Sequence, residues 1–333
     1  MRKTLAAYLS VTICSTNSAA VALTIALSPV GNSGNPADST TGYGSVGYDY
    51  RIGTYEVTNS QYAEFLTAKV PDSDPLGLYV SLMGYDLSGG ISRSGLPGNF
   101  TYTARENMGD KPVTFVSWYD AIRFANWLHN GQGSGDTESG AYTLLGGTPT
   151  PTNGDSITRN PGATWFLPSE DEWYKAAYYQ PEGQGGDSDN YWAYPTRSNS
   201  VPSIATANSS GDIDNPGTNV ANYNRGADWR GDGNVTTVGS AGPSSASFYG
   251  TSDQAGNVFE WNEGLNGGFF RGLRGGGWEL NSNYLPASSR TYDNPSGELP
   301  GRGFRVASAV PEPSGFALAV FALLGLFALM RRR

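Results

Sequence analysis

Three stretches of the chain repeat apolar residues at intervals of three and four behind a capping pattern, and each predicts a helix. Thr58, with Gln61 three residues on, opens the first; Val57 and Tyr62 are placed as a hydrophobic staple, and Tyr62, Phe65 and Leu66 form its inward face. Ser117 with Asp120 opens the second, where Ala121, Phe124, Ala125 and Leu128 recur at i, i+3, i+4 and i+7 before Gly131 stops it. Ser169 with Glu172 opens the third, with Trp173, Ala176 and Ala177 facing in. Trp118, Trp127 and Trp173 therefore belong to the core. Extended segments are predicted at 48–55, 164–167, 269–278 and 303–308, where aromatic and β-branched residues sit between glycines. Between the third helix and Phe269 the chain is loop-like, dense in Gly, Asn, Asp and Ser at 183–186, 199–217 and 226–234. Loops that long in a compact domain are functional or need tying down, and a bound cation would do the tying.

The two ends change the picture from a plain domain to an exported one. Residues 310–333 run Val310-Pro311-Glu312-Pro313-Ser314, then sixteen uncharged, mostly apolar residues at 315–330, then Arg331-Arg332-Arg333. As a helix that run would cover about 24 Å against a hydrocarbon core of about 30 Å, a short membrane span with its basic end held in the cytoplasm. A buried C-terminal helix is the alternative reading. At the other end Arg2 and Lys3 precede a mostly apolar stretch, and Ser18, Ala19, Ala20 and Ala22 supply small residues for cleavage. This predicts a secretory signal over 1–22 and a membrane-anchored or extracellular domain over 23–309. The single cysteine, Cys14, falls inside the signal, so the exported chain is expected to carry no disulfide.

A formal net charge of −9 and a pI near 4.7, with no basic stripe in the body, leave phosphate neutralisation without a source and argue against nucleic acid as a partner. With 45 Gly, 20 Pro and 20 Tyr against 15% charged residues, the chain favours turns around aromatic anchors over long helices.

Candidate chemistry is sparse. Asp253 and Glu260 stand seven residues apart with Gly256 between them, a spacing that suits a hard cation such as Ca²⁺, which takes several oxygen ligands at flexible geometry. An Asx-capped turn with Glu260 in a salt bridge is the competing reading. Glu170, Asp171, Glu172, Glu260, Glu263 and Glu279 are the acid/base reserve, and paired carboxylates about 5–10 Å apart hydrolyse glycosides. Glu170 and Glu172 also have a duller role at a helix start. His129 is the only histidine, too few for an iron triad of two histidines and a carboxylate, for a zinc hydrolase, or for both. It falls near the end of the second helix, where a capping or dipole role is the plain reading.

Six motifs then occur in order: Ile52-Gly53-Thr54-Tyr55-Glu56-Val57-Thr58-Asn59; Pro112-Val113 through Ser117-Trp118 and Ala121; Leu167-Pro168-Ser169-Glu170 through Glu172-Trp173; Gly256-Asn257-Val258-Phe259-Glu260-Trp261; Arg274-Gly275-Gly276-Gly277-Trp278; and Gly303-Phe304-Arg305-Val306-Ala307. Over about residues 44–308 the chain resembles the formylglycine-generating enzyme family, also called sulfatase-modifying factors. The resemblance implies a mixed α+β fold poor in regular secondary structure and related to the C-type lectin fold. It also implies two calcium sites, one on Asp253 and Glu260 with the carbonyls of Gly256 and Val258, the other beginning at Asn222 and the carbonyl of Tyr223 with a later acid at Asp228 or Asp232. The family's oxidase chemistry uses copper held by two cysteines, and the matching positions here are Leu280 and Leu285. Leucine offers copper no ligand, and soft Cu(I) wants thiolate. No copper, iron or zinc is expected.

The tail, for its part, resembles a PEP-CTERM sorting signal, which implies recognition by an exosortase. The expectation is an exported, non-redox binding or structural protein of the cell envelope, with exopolysaccharide or peptide segments as ligands. The alternative is an enzyme using the family groove near Leu280 and Leu285 for other chemistry.

Overall fold

The structure is a computed structural model that describes residues 22–310. The signal segment up to residue 21 and the tail from 311 lie outside the described residues. Among those described, no helix is long and apolar enough to cross a membrane.

All three helices form where the capping patterns put them: α1 (Asn59–Lys69), α3 (Trp118–His129) and α4 (Glu170–Tyr178), with a single turn, α2 (Leu82–Tyr85), between the first two. Each long helix begins with a reciprocal box, in which the Thr58, Ser117 or Ser169 side chain accepts from the third backbone N–H and that residue's own side chain accepts from the cap. Such a box satisfies two of the N–H groups that a helix start leaves without partners.

Among the described residues, twelve short strands complete the fold. One sheet, ordered β1-β2-β12-β5, joins β1 (Leu27–Val30), β2 (Tyr50–Gly53), β12 (Ala307–Ala309) and β5 (Trp165–Phe166), every pair antiparallel. A second, ordered β10-β9-β8-β11, joins β10 (Thr291–Asp293), β9 (Phe270–Arg274), β8 (Phe259–Asn266) and β11 (Arg302–Phe304), with β11 parallel to β8. A hairpin of β3 (Ile91–Leu96) and β4 (Asn99–Ala104) and a parallel pair of β6 (Ser203–Ile204) and β7 (Val220–Ala221) stand apart.

The core gathers on α1 and α3. Phe124 packs edge-on against Phe65 at 5.4 Å and Phe304 at 5.5 Å, and stacks with Tyr62 at 6.0 Å. These arrangements suit the ring quadrupole and add to the burial energy of the rings themselves. Trp118, Trp127 and Trp173 are all buried, as the helix faces require. His129 ends α3 and ties it to the strand region through Thr164, with Nδ1 2.8 Å from the hydroxyl and 3.1 Å from the backbone N–H.

Candidate functional site

The segment 253–261 is a left-handed turn running into a strand. Asp253, Gly256 and Asn257 all have φ between 60° and 80°, and a Cβ on Gly256 would lie 2.1 Å from the Asn222 carbonyl oxygen, so glycine alone fits there. The chain then enters β8, which carries Glu260 to full burial beside Arg305, the residue following β11. Arg305 Nε and Nη2 each donate to Glu260 at 2.6 Å, and Trp173 Nε1 donates to the same carboxylate at 2.7 Å. The remaining Arg305 donors reach the carbonyls of Gly53, Thr54 and Ser252.

Two further carboxylates share this environment. Asp253 accepts from the Gly239 N–H at 2.5 Å and is pushed up to about 6, chiefly by burial. Glu56 is 1% exposed; burial, then the nearby Asp253 charge, raises it well above the usual carboxylate range. Its Oε1 accepts from Asn257 Nδ2 at 3.1 Å, but its Oε2 has no hydrogen-bond partner and the residue lines a small cavity of about 30 Å³. Two buried carboxylates, Glu56 and Glu260, and the partly buried Asp253 thus share the field of one guanidinium, which Glu260 contacts, with one orphaned oxygen among them.

Asn257 links this cluster to Asn222. The Asn222 side-chain amide donates to Asn257 Oδ1 at 3.2 Å and to the Asn234 carbonyl at 2.8 Å, while its own Oδ1 is buried without a partner. Tyr223 is buried beside it, with its hydroxyl on the Pro202 carbonyl. Asp228 and Asp232 are exposed and engaged elsewhere: Asp228 accepts from the Gly231 and Gly233 N–H groups, and Asp232 pairs with Arg225. The structure brings Asn222 toward Asn234 and Thr236 and leaves both aspartates in the loop between.

These donors fit a hard cation in kind and in charge, since a buried surplus of carboxylate and orphaned oxygens at Glu56 and Asn222 are what such an ion would compensate. No three His, Cys, Asp or Glu side chains among the described residues converge at metal-ligand spacing, so carbonyls and water would supply the remaining ligands. Glu260 is already saturated on one oxygen by Arg305 and Trp173, which makes Glu56 and Asp253 the freer acids.

Of the other candidate carboxylates, Glu170, Glu172 and Glu263 are held in ion pairs. Arg159 Nη2 lies 2.6 Å from Glu172 and 2.7 Å from Glu263, whose second oxygens take further bonds from Tyr48 and Tyr142. Glu170 bridges Arg274 and Arg290, and Asp171 accepts from the Gly44 N–H. Glu279 is half-buried with its carboxyl raised by burial, and its Oε2 has no partner. Leu285 is wholly buried against Ala221, Tyr223 and Ala255, and Leu280 packs against the main core.

Fold and site together define a mixed α+β scaffold of few short helices and small sheets that belongs with the formylglycine-generating enzymes. The chain belongs to the family described as the sulfatase-modifying factor enzyme 1-like domain, whose model matches residues 38–310. No curated protein matches it. Among solved structures it is similar to that of CarF, at 23% identity over 86% of this chain and 99% of that one with a TM-score of 0.53. It also matches PvdO from Pseudomonas aeruginosa, at 17% identity over 87% and 94% of the two chains, and Treponema denticola variable protein 1, at 19% over 85% and 95%, with TM-scores of 0.43 and 0.49. At these identities the likeness speaks to fold alone.

Sequence reading named Asp253, Glu260 and Asn222 but missed the parts of Glu56, Asn257 and Arg305. All three lie inside the ordered motifs, yet nothing in their spacing says that positions 56 and 305 meet across the fold.

Proposed function

We propose that this chain is an exported, non-redox binding or structural member of the family, working at the cell envelope or in an exopolysaccharide matrix and stabilised by Ca²⁺. The observation that carries the reading is Leu285, fully buried in an apolar cluster at the place where the family's copper chemistry would need a thiolate. Export and delivery rest on the terminal sequences: a signal over 1–22 and a tail over 310–333 that resembles a sorting signal handled by an exosortase. Calcium rests on the surplus of buried carboxylate around Arg305 and on the orphaned oxygens of Glu56 and Asn222. When bound, the ion would supply charge compensation to Asp253 and Glu56 and to the carbonyls of the 253–258 turn. Of the two ligand classes, polysaccharide is favoured by the sorting tail and by exposed tyrosines such as Tyr48 and Tyr85, whose rings can stack on sugars. The test is to purify the protein, measure bound metals by mass spectrometry and screen it against glycans and peptides. Stoichiometric calcium with glycan binding supports the reading, and O₂-dependent oxidation of a thiol peptide by clean material would end it.

A further inference from the structure

A cavity of about 450 Å³ opens beside β5, the edge strand of the first sheet, with Tyr48, Asp49, Arg159, Asn160, Phe166 and Val310 among its walls. It is separate from both the carboxylate cluster around Arg305 and the packed leucines. Two of its walls are flat side chains held by polar contacts. The Arg159 guanidinium stands 3.6 Å over the Phe166 ring, and its nitrogens are fixed by Glu172, Glu263 and the Leu167 carbonyl. Tyr48 leaves half its surface, 51%, open, while its hydroxyl donates to Glu172 at 2.8 Å and so holds the ring in place. Around these planes stand acceptors that nothing else uses: both amide hydrogens of Asn160 are directed to Gly140 and Thr143, leaving its Oδ1, and Asp49 is exposed.

A rigid aromatic face with polar acceptors at its edge matches the two-sided chemistry of a pyranose, whose C–H face stacks on rings and whose hydroxyls donate outward. Charge narrows the class further. Arg159 is already paired with Glu172 and Glu263, which leaves the exposed Asp49 as the uncompensated charge among the walls, so a uronate would meet repulsion that a neutral sugar does not. We propose that this cavity is a subsite for a neutral hexose or hexosamine unit of a polysaccharide, with the Tyr48 ring as its stacking platform. The proposal rests on the polysaccharide reading above and gives it a location.

The full chain is titrated calorimetrically with tetrasaccharides of glucose, galactose, mannose and galacturonate, alongside Tyr48→Phe and Tyr48→Ala. At least one neutral tetrasaccharide binds the wild type and galacturonate does not; Tyr48→Phe stays within about threefold while Tyr48→Ala weakens binding about tenfold, the worth of one stacking contact. Tyrosine ring resonances of the wild type, with Tyr48 assigned through Tyr48→Phe, shift on adding the same sugar, a readout that survives if Tyr48→Ala folds poorly. If no sugar binds the wild type, the polysaccharide reading falls and this site with it. If a sugar binds but Tyr48→Ala and the Tyr48 resonance are unaffected, only this site is overturned.

Discussion

Arg305 and Glu260 form a two-pronged ion pair at 2.6 Å with neither side chain exposed at all. Removing one partner of such a pair strands the other charge in a low dielectric, which typically costs about 3–5 kcal/mol, whereas replacing both with apolar groups costs much less. Arg305→Met is therefore expected to destabilise the protein by that amount, and Arg305→Met with Glu260→Leu by clearly less than the two single changes together. Urea unfolding of the four species checks it; additive effects would mean that the two side chains act independently.

Calcium is expected to raise the melting temperature of the wild type, by an amount equivalent to about 2.7 kcal/mol when the ion stands at a hundred times its dissociation constant. Glu56→Gln is expected to do two things at once. It raises the stability of the calcium-free protein by replacing a buried carboxyl whose ionised form is disfavoured with a neutral amide, and it reduces the calcium increment. Thermal melts with chelator and with added Ca²⁺ separate the two effects, and an undiminished increment in the variant would remove Glu56 from the site.

Leu285 sits wholly buried among Ala221, Tyr223 and Ala255. Leu285→Ala is expected to cost about 2–5 kcal/mol, the usual range for a cavity left in a packed interior. A loss below about 1 kcal/mol in urea unfolding would mean that the region is loosely packed and open to a ligand.

A second acidic group lies at the start of α3. Glu298 is pushed up to about 7, mainly by burial and then by Asp120 and Asp74, and Asp120 itself is raised to about 6 by burial, against the pull of Ser117 and Arg123. A carboxyl whose folded value exceeds its unfolded value binds more protons in the native state. Stability therefore falls as pH rises from about 4 to 7. Glu298→Gln is expected to match the wild type near pH 4.5 and exceed it at pH 7.5, by at most about 1 kcal/mol because solvent screens this partly open group. Equal stabilities at pH 7.5 would show that Glu298 carries no such strain.

The helices were legible because capping is local: the Thr58, Ser117 and Ser169 boxes are written within four residues each, and α1, α3 and α4 start where those patterns stand. Strands were read less well. The segments at 48–55 and 164–167 shrank to β2 and β5, and β8 lies in the stretch that reads as loop before Phe269, although Gly267-Gly268 marks its turn into β9. The hairpin of β3 and β4 was missed although Pro97-Gly98 marks its turn and Phe100 and Tyr102 alternate with polar residues on the second strand. For the site, the acid pair Asp253 and Glu260 could be picked from spacing, but the partners that decide its chemistry come from residues 56, 222 and 305. Such meetings are set by the packing of the whole chain, and one sequence carries no local trace of them.

β12 is the last strand, and it lies between β2 and β5 with Val310 immediately after it. The first sheet therefore stays split until residue 309 has emerged from whatever machinery is delivering it. Under the export proposed above, a chain held by its final residues in a translocation pore would complete its architecture on the far side, with the tether pulling on an interior strand rather than a loose end. Trimming the tail beyond 310 leaves that sheet whole, while cutting three or four residues earlier removes β12, the strand that β5 pairs with.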